Sequence, residues 1–295
     1  MPASTATSVP AAATTTRVPP QLLVVGAAVS LQTGSAVATR VFPLVGAAGM
    51  LALRMGVAAV VLVVLGRAWR HRPRGVALRG VLVFGAVLGS MNLLFYLALE
   101  RIPLGVTVAL ELMGPLGVAV LGSRRAADLL WCALAAAGVL VLTNPSTTGL
   151  DPVGVALALS AGACWAGYIL VGSRIARGLP GTSGLAWAML ASSLVLVPLG
   201  IGTAGDALLD PRVLVAGVVV ALMSSVLPYA LDLKAMRRVS PRGFGIMLSM
   251  QPAVAAVAGL LVAGQRLSVG GLLGIALVVA ASLGAVPARS SRPAD

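Results

Sequence analysis

The chain has 295 residues, of which 59% are hydrophobic and only 10% charged, and its mean hydropathy is +1.02. A soluble domain carries roughly 25% charged residues, and a soluble exterior built from this much apolar surface would be sticky, so a water-soluble globule is excluded and lipid is the expected solvent. The formal net charge of +13 does not point to nucleic acid, because the basic residues fall between apolar runs and leave no soluble face to carry them.

Residues 1–19 are rich in Ala, Thr and Pro, with Arg17 near their end, and lack the basic start and apolar core of a cleavable signal. They read as a disordered cytoplasmic tail. Apolar runs broken by charge, Pro or Gly then predict ten spans, at 20–42, 46–66, 77–99, 104–122, 127–143, 152–173, 183–200, 211–231, 242–264 and 268–287. A short cytoplasmic tail, 288–295, follows. The expected class is an all-α membrane protein. With both termini in the cytoplasm, the inner segments hold 16 basic residues and the outer loops hold 4, Arg40, Arg101, Arg212 and Arg266. That bias sets the orientation and implies multi-pass insertion in a bacterial inner membrane. Cys132 and Cys164 lie in apolar runs and read as small hydrophobes rather than a disulfide.

The sequence repeats itself. The segment at 98–103 precedes Pro115 by the same interval as the segment at 235–240 precedes Pro252, and each follows a tyrosine, Tyr96 or Tyr229. Five spans per half is an odd number, so the halves, 20–145 and 150–287, are expected to insert with opposite orientations. Inverted repeats of this kind build a central site at their interface in secondary transporters.

Ionisable groups at membrane depth are costly and mark function. Arg54 on the second span and Glu111 on the fourth fall at similar depth, and Asn92 on the third joins them. A carboxyl at that depth is placed to exchange a proton as the site opens to either side, which makes Glu111 the leading candidate for coupling. A structural ion pair between Arg54 and Glu111 is the alternative. Gly85, Gly89, Asn92 and Tyr96 form one helical stripe; Thr107, Glu111 and Pro115 form another, and Ser224, Pro228 and Asp232 a third. Gln32, Ser35 and Thr39 mark the first span, Ser160, Cys164 and Tyr168 the sixth, and Gln251 beside Pro252 the ninth. The two glycines of the first stripe favour close helix packing. Pro115, Pro228 and Pro252 break helices and suit gating, each freeing a carbonyl. Asp232 reads as an interfacial charge near Lys234 and Arg237.

The stretch MNLLFYLALERIPLGVTVALELMGPL at 91–116, and SSVLPYALDLKAMRRVSPRGFG at 224–245, resemble the EamA-like branch of the drug/metabolite transporter superfamily, nearest its threonine and homoserine exporters. The resemblance covers roughly residues 20–287. It implies a fold of two inverted five-helix repeats around a central cavity, and proton-driven export of amino acids or related metabolites. It carries the motif glutamate to Glu111 and the motif proline to Pro115. Where such relatives read Glu-Pro and Gly-Glu, this chain has Gln251-Pro252 and Gly264-Gln265, so two carboxylates have become amides. For a zwitterion, Glu111 is expected to meet the ammonium and Arg54 the carboxylate, with Gln32, Asn92, Tyr96, Tyr168 and Gln251 completing the site.

The expected partners are a small-molecule substrate, protons and membrane lipid, with a homodimer left open and no nucleic acid, metal or cofactor. Export of drug-like cations or nucleobase-type metabolites is the rival within transport, and a non-transporting structural membrane protein is the remote one. An enzyme is disfavoured. The sole histidine, His71, lies in a basic loop, and no phosphate-binding GxxxxGK[ST] loop is present.

Overall fold

The computed structural model describes residues 19–121, 126–143, 149–178, 183–236, 247–248 and 250–284. Residues 1–18 of the first predicted tail, the whole of the second, the repeat segment at 237–240 and Arg237 lie outside them. Every regular element among the described residues is helical: α1 (Pro20–Leu65), α2 (Val76–Leu99), α3 (Leu104–Glu111), α4 (Met113–Leu121), α5 (Ala126–Thr143), α6 (Pro152–Gly178), α7 (Ser183–Ala204), α8 (Pro211–Ala221), α9 (Leu227–Met236), α10 (Gln251–Ala263) and α11 (Val269–Gly284). Five helices are long and apolar enough to cross a bilayer, Pro20–Leu65, Val76–Leu99, Pro152–Gly172, Ser183–Leu209 and Pro211–Asp232. Shorter apolar helices span Leu104–Val118, Gln251–Ala263 and Val269–Ala281. Large apolar side chains such as Leu65, Leu194, Val215 and Leu261 stand on the exterior, as a lipid solvent permits.

Short sequence signals start and stop these helices. Asp151 and Asp210 each precede a proline that opens a helix, and their carboxylates accept from the Val153 and Arg212 amides at 2.9 and 2.7 Å. The aspartate satisfies an otherwise unpaired first-turn N–H, and the proline presets the helical φ.

The first two predicted spans follow one another directly, with a kink between them in place of a loop. At about 1.5 Å per residue a 46-residue helix is roughly 69 Å long, twice the hydrocarbon thickness, and α1 bends within it. Pro43 has no N–H to give to the turn before it, and Gly46 takes φ 64, ψ 173, a conformation that a side chain would strain. The helix restarts at Ala47, whose N–H donates to the Glu100 carboxylate arriving from the end of α2. The predicted fourth span is likewise two pieces. Pro115 cannot donate to the Glu111 carbonyl, so α3 ends at Glu111, and the ladder resumes beyond Leu112, whose carbonyl accepts from Leu116 at 3.0 Å. The predicted eighth span contains a π-helical turn, Leu222–Val226, just before Pro228. The ninth is described as helix at 247–248 and from Gln251, and the sixth runs on to Gly178.

Packing pairs early helices with late ones. The first part of α1 lies against the π turn and α9, with Gly34 over Ser224 and Gly26 over Leu231; the second part lies against α7 and α8. Helix α2 packs on α6 and α7, α3 and α4 on α6, α3 on α10, and α5 on α11.

Candidate functional site

A cavity of about 70 Å³ lies where these pairs converge. One water occupies about 10–15 Å³ of such space, so it holds on the order of five water-sized groups, closer to a small amino acid than to a drug-sized cation. The α1 helix lines it with Leu31, Gln32 and Arg54, α2 with Met91, Asn92 and Phe95, and α3 with Glu111. Trp165 and Tyr168 of α6, Tyr229 and Asp232 of α9, Leu248, and Gln251 of α10 complete the wall. Thus Gln32, Arg54, Asn92, Glu111, Tyr168 and Gln251, which the sequence singles out, come together.

Arg54 is 1% exposed and held at three points. Its Nη2 donates to the Ser224 carbonyl at 2.7 Å, its Nε donates to Ser225 Oγ at 2.8 Å, and its guanidinium lies over the Tyr96 ring, 5.1 Å from the centroid. Ser224 is the residue whose carbonyl a regular helix would pair with the N–H that Pro228 lacks. The arginine takes up the acceptor that the proline releases.

Glu111 shares the cavity with Arg54, but no ion pair within 4.0 Å joins them; among the described residues that distance is met by Arg101 and Asp151, at 2.8 Å. Glu111 ends α3 beside a close helix crossing. A Cβ on Gly162 of α6 would lie 2.6 Å from the Glu111 carbonyl oxygen. Across the cavity Gln32 Nε2 donates to Gln251 Oε1 at 3.3 Å, linking α1 to α10. Asn92 Nδ2 donates to the Leu88 carbonyl of its own helix at 2.8 Å.

Several expectations resolve differently. Tyr96 is fully buried beneath Arg54 and does not line the cavity. Gly85 and Gly89, by contrast, pack helices as expected: they face α7, where Ser192 Oγ donates to the Gly85 carbonyl at 2.6 Å. Thr107 turns to the Pro103 carbonyl at 3.0 Å. Ser160 is exposed and Tyr168 stacks on Phe84, with ring centroids 5.0 Å apart. The largest correction concerns Asp232. It lines the cavity and forms no ion pair with Lys234, which is exposed.

Sequence reasoning missed the roles of four residues. Glu100 caps the second part of α1, and Gln265 Oε1 accepts from the Leu104 N–H at 3.0 Å to cap α3. Tyr229 served only to mark the repeat. Ser225 carried no signal beyond its neighbour Ser224.

Residues 152–286 match the EamA-like transporter family. The threonine/homoserine exporter RhtA of Escherichia coli K12 is 41% identical over 267 residues, covering 90% of each chain, and its counterpart in Salmonella typhimurium LT2 matches to the same extent. The uncharacterized transporter YwfM of Bacillus subtilis is 31% identical over 196 residues, 63% of this chain and 66% of its own. A solved crystal structure shares the fold with a TM-score of 0.60 at 22% identity, over 90% of this chain and 96% of that one. The helices, the polar cavity and these likenesses converge: this chain is a multi-pass membrane transporter, not an enzyme, and belongs to the EamA-like family of the drug/metabolite transporter superfamily.

Proposed function

We propose that this chain exports small amino acids of the threonine and homoserine type by alternating access, coupled to protons, across a bacterial inner membrane with both termini in the cytoplasm. The observation that carries the reading is a small cavity, lined by Glu111 and Arg54, between helices of the two halves of the chain. The 41% identity to threonine/homoserine exporters supports the substrate class.

The working architecture is ten spans in two inverted five-helix repeats, 20–145 and 150–287. The bend at Gly46 divides α1 into two of these spans, and α3 with α4 makes another. The packing supports the scheme. Exchanging each span for the one five places along turns α2 on α6 into α9 on the first part of α1, and α2 on α7 into α8 on the second part. It likewise turns α3 and α4 on α6 into α10 on the first part of α1. Three other pairs, the second part of α1 on α7, α3 on α10 and α5 on α11, map onto themselves. A rocking motion about such an axis exposes the same cavity to either side.

In this mechanism Glu111 carries the proton. Asn92, Tyr168, Gln32 and Gln251 orient the substrate, and Arg54 with Tyr96 beneath it sets the positive side of the cavity. Pro115, Pro228 and Pro252 sit where helices break and give the motion its joints. Inside-out vesicles with an imposed proton gradient test this directly. Gradient-driven threonine uptake is expected for the native protein and lost in Glu111→Gln, with threonine exchange at equal pH retained. Gradient-driven uptake that survives Glu111→Gln removes Glu111 from the coupling step.

A further inference from the structure

The hydrogen-bonding groups around the cavity are unevenly committed. On the donor side, Gln32 Nε2 is given to Gln251, Asn92 Nδ2 to Leu88, and Arg54 Nε and Nη2 to Ser225 and Ser224. On the acceptor side, Gln32 Oε1 and Asp232 Oδ1 are both shielded from solvent and have no hydrogen-bond partner among the described residues. Gln32 itself is only 1% exposed. Buried acceptors are normally paired, and those left open in a cavity indicate what the cavity is shaped to receive. Here it is a donor-rich, positively charged group.

We infer that Asp232, with Gln32, binds the ammonium group of the transported amino acid. The inference rests on the proposed function above and divides the work between two carboxylates, Asp232 holding the substrate cation and Glu111 left for the proton. A primary ammonium supplies three N–H donors and a full charge, enough for both open oxygens at once. A proton on Asp232 would satisfy that carboxylate alone and leave the Gln32 oxygen, which does not titrate, without a partner. A substrate carboxylate is turned away from these oxygens by like charge, and the Tyr168 and Tyr229 hydroxyls and the positive charge of Arg54 line the same cavity to receive it. Asp232 lies one turn beyond Pro228, on the α9 side of the wall facing α1, so the two oxygens belong to opposite halves of the chain. A bound ammonium bridges the halves at that point.

The test uses purified full-length protein without a gradient and compares each amine with its desamino counterpart by calorimetry: L-threonine with 3-hydroxybutyrate, L-homoserine with 4-hydroxybutyrate, and a wider set of amino acids with their hydroxy or desamino analogues. The native protein is expected to favour the amine at least tenfold. Asp232→Asn is expected to lose most of that preference and Gln32→Leu part of it. Native-like preference in Asp232→Asn, or no amine preference in the native protein for any pair, overturns the assignment. Where Asp232→Asn does not fold, Asp232→Glu is expected to keep the preference and Gln32→Leu to weaken it, and undiminished preference in Gln32→Leu then overturns it. Amine preference for other amino acids with none for threonine or homoserine would sink the proposed substrate and leave this assignment standing.

Discussion

The crossing of α6 over the break between α3 and α4 gives the sharpest test of how the site is held. An alanine Cβ at position 162 would fall 2.6 Å from the Glu111 carbonyl oxygen and 3.2 Å from both its carbonyl carbon and Cα. All three are backbone atoms, so no side chain can swing aside. Ordinary contact begins at 3.4 Å, so α6 and α3 must separate by about 0.8 Å. Overpacking of this kind costs about 1–3 kcal/mol. Helix propensity works the other way, since alanine is favoured over glycine by about 1 kcal/mol. Gly167→Ala, on the same helix, isolates the clash, because its Cβ would meet Val87 at an ordinary 3.5 Å while gaining the same propensity. Thermal unfolding of the two variants in one detergent should place Gly162→Ala below Gly167→Ala by about 1–3 kcal/mol. Vesicle transport should fall in Gly162→Ala alone, because the displaced segment carries Glu111. Equal stability and equal transport in the two variants would refute the close approach.

Three further outcomes are expected. Glu100→Ala removes the cap from the second part of α1 and should lower stability by about 1 kcal/mol, while Glu100→Gln, whose amide oxygen still accepts the Ala47 N–H, should lose less; denaturation midpoints distinguish them. Arg54→Lys keeps the charge but not the planar fork that serves Ser224, Ser225 and the Tyr96 face together, so it should be destabilised by about 1.5–3 kcal/mol and transport poorly, as melting curves and initial uptake rates will show. The Arg101 guanidinium and the Val153 amide hold the Asp151 carboxyl below its usual value of 3.8. A group depressed in the folded state contributes fully above the unfolded value and loses that contribution as pH falls through the folded one, so the stability gap between the native protein and Asp151→Asn should be present at pH 6 and shrink below about pH 4.

Much of the site was legible because lipid makes polarity conspicuous. Arg54, Asn92, Glu111, Gln32 and Gln251 stood out as polar residues in apolar runs, and the structure draws all five into one wall. What failed was direction. A stripe read at helical spacing treats every member as facing one neighbour, yet Gly89 and Asn92, three residues apart on α2, serve α7 and the cavity respectively. A helix buried on several sides has no single inner face. Asp232 was misplaced for another reason. Its nearness in sequence to Lys234 suggested the membrane interface, whereas two residues of helix turn a side chain through about 200°, so aspartate and lysine point apart. The break between the first two spans was legible, because proline and glycine at 43 and 46 mark it. What the sequence did not show is the Glu100 carboxylate, 53 residues away, that caps the restart at Ala47.

The buried arginine and the broken helix beside it are a single unit. A guanidinium at 1% exposure in an apolar bundle is costly unless its donors are met, and a regular helix offers no free carbonyl to meet them. Pro228 creates that carbonyl at Ser224, and the π turn at Leu222–Val226 brings Ser225 within reach of the same fork. Each supports the other: without Arg54 the released carbonyl loses its partner, and without Pro228 the arginine keeps Ser225 Oγ but loses the Ser224 carbonyl. Substituting both together should therefore cost less than the sum of the single substitutions. A double-mutant cycle on Arg54→Met and Pro228→Ala reads that coupling, and strictly additive losses would show that the two features are neighbours only.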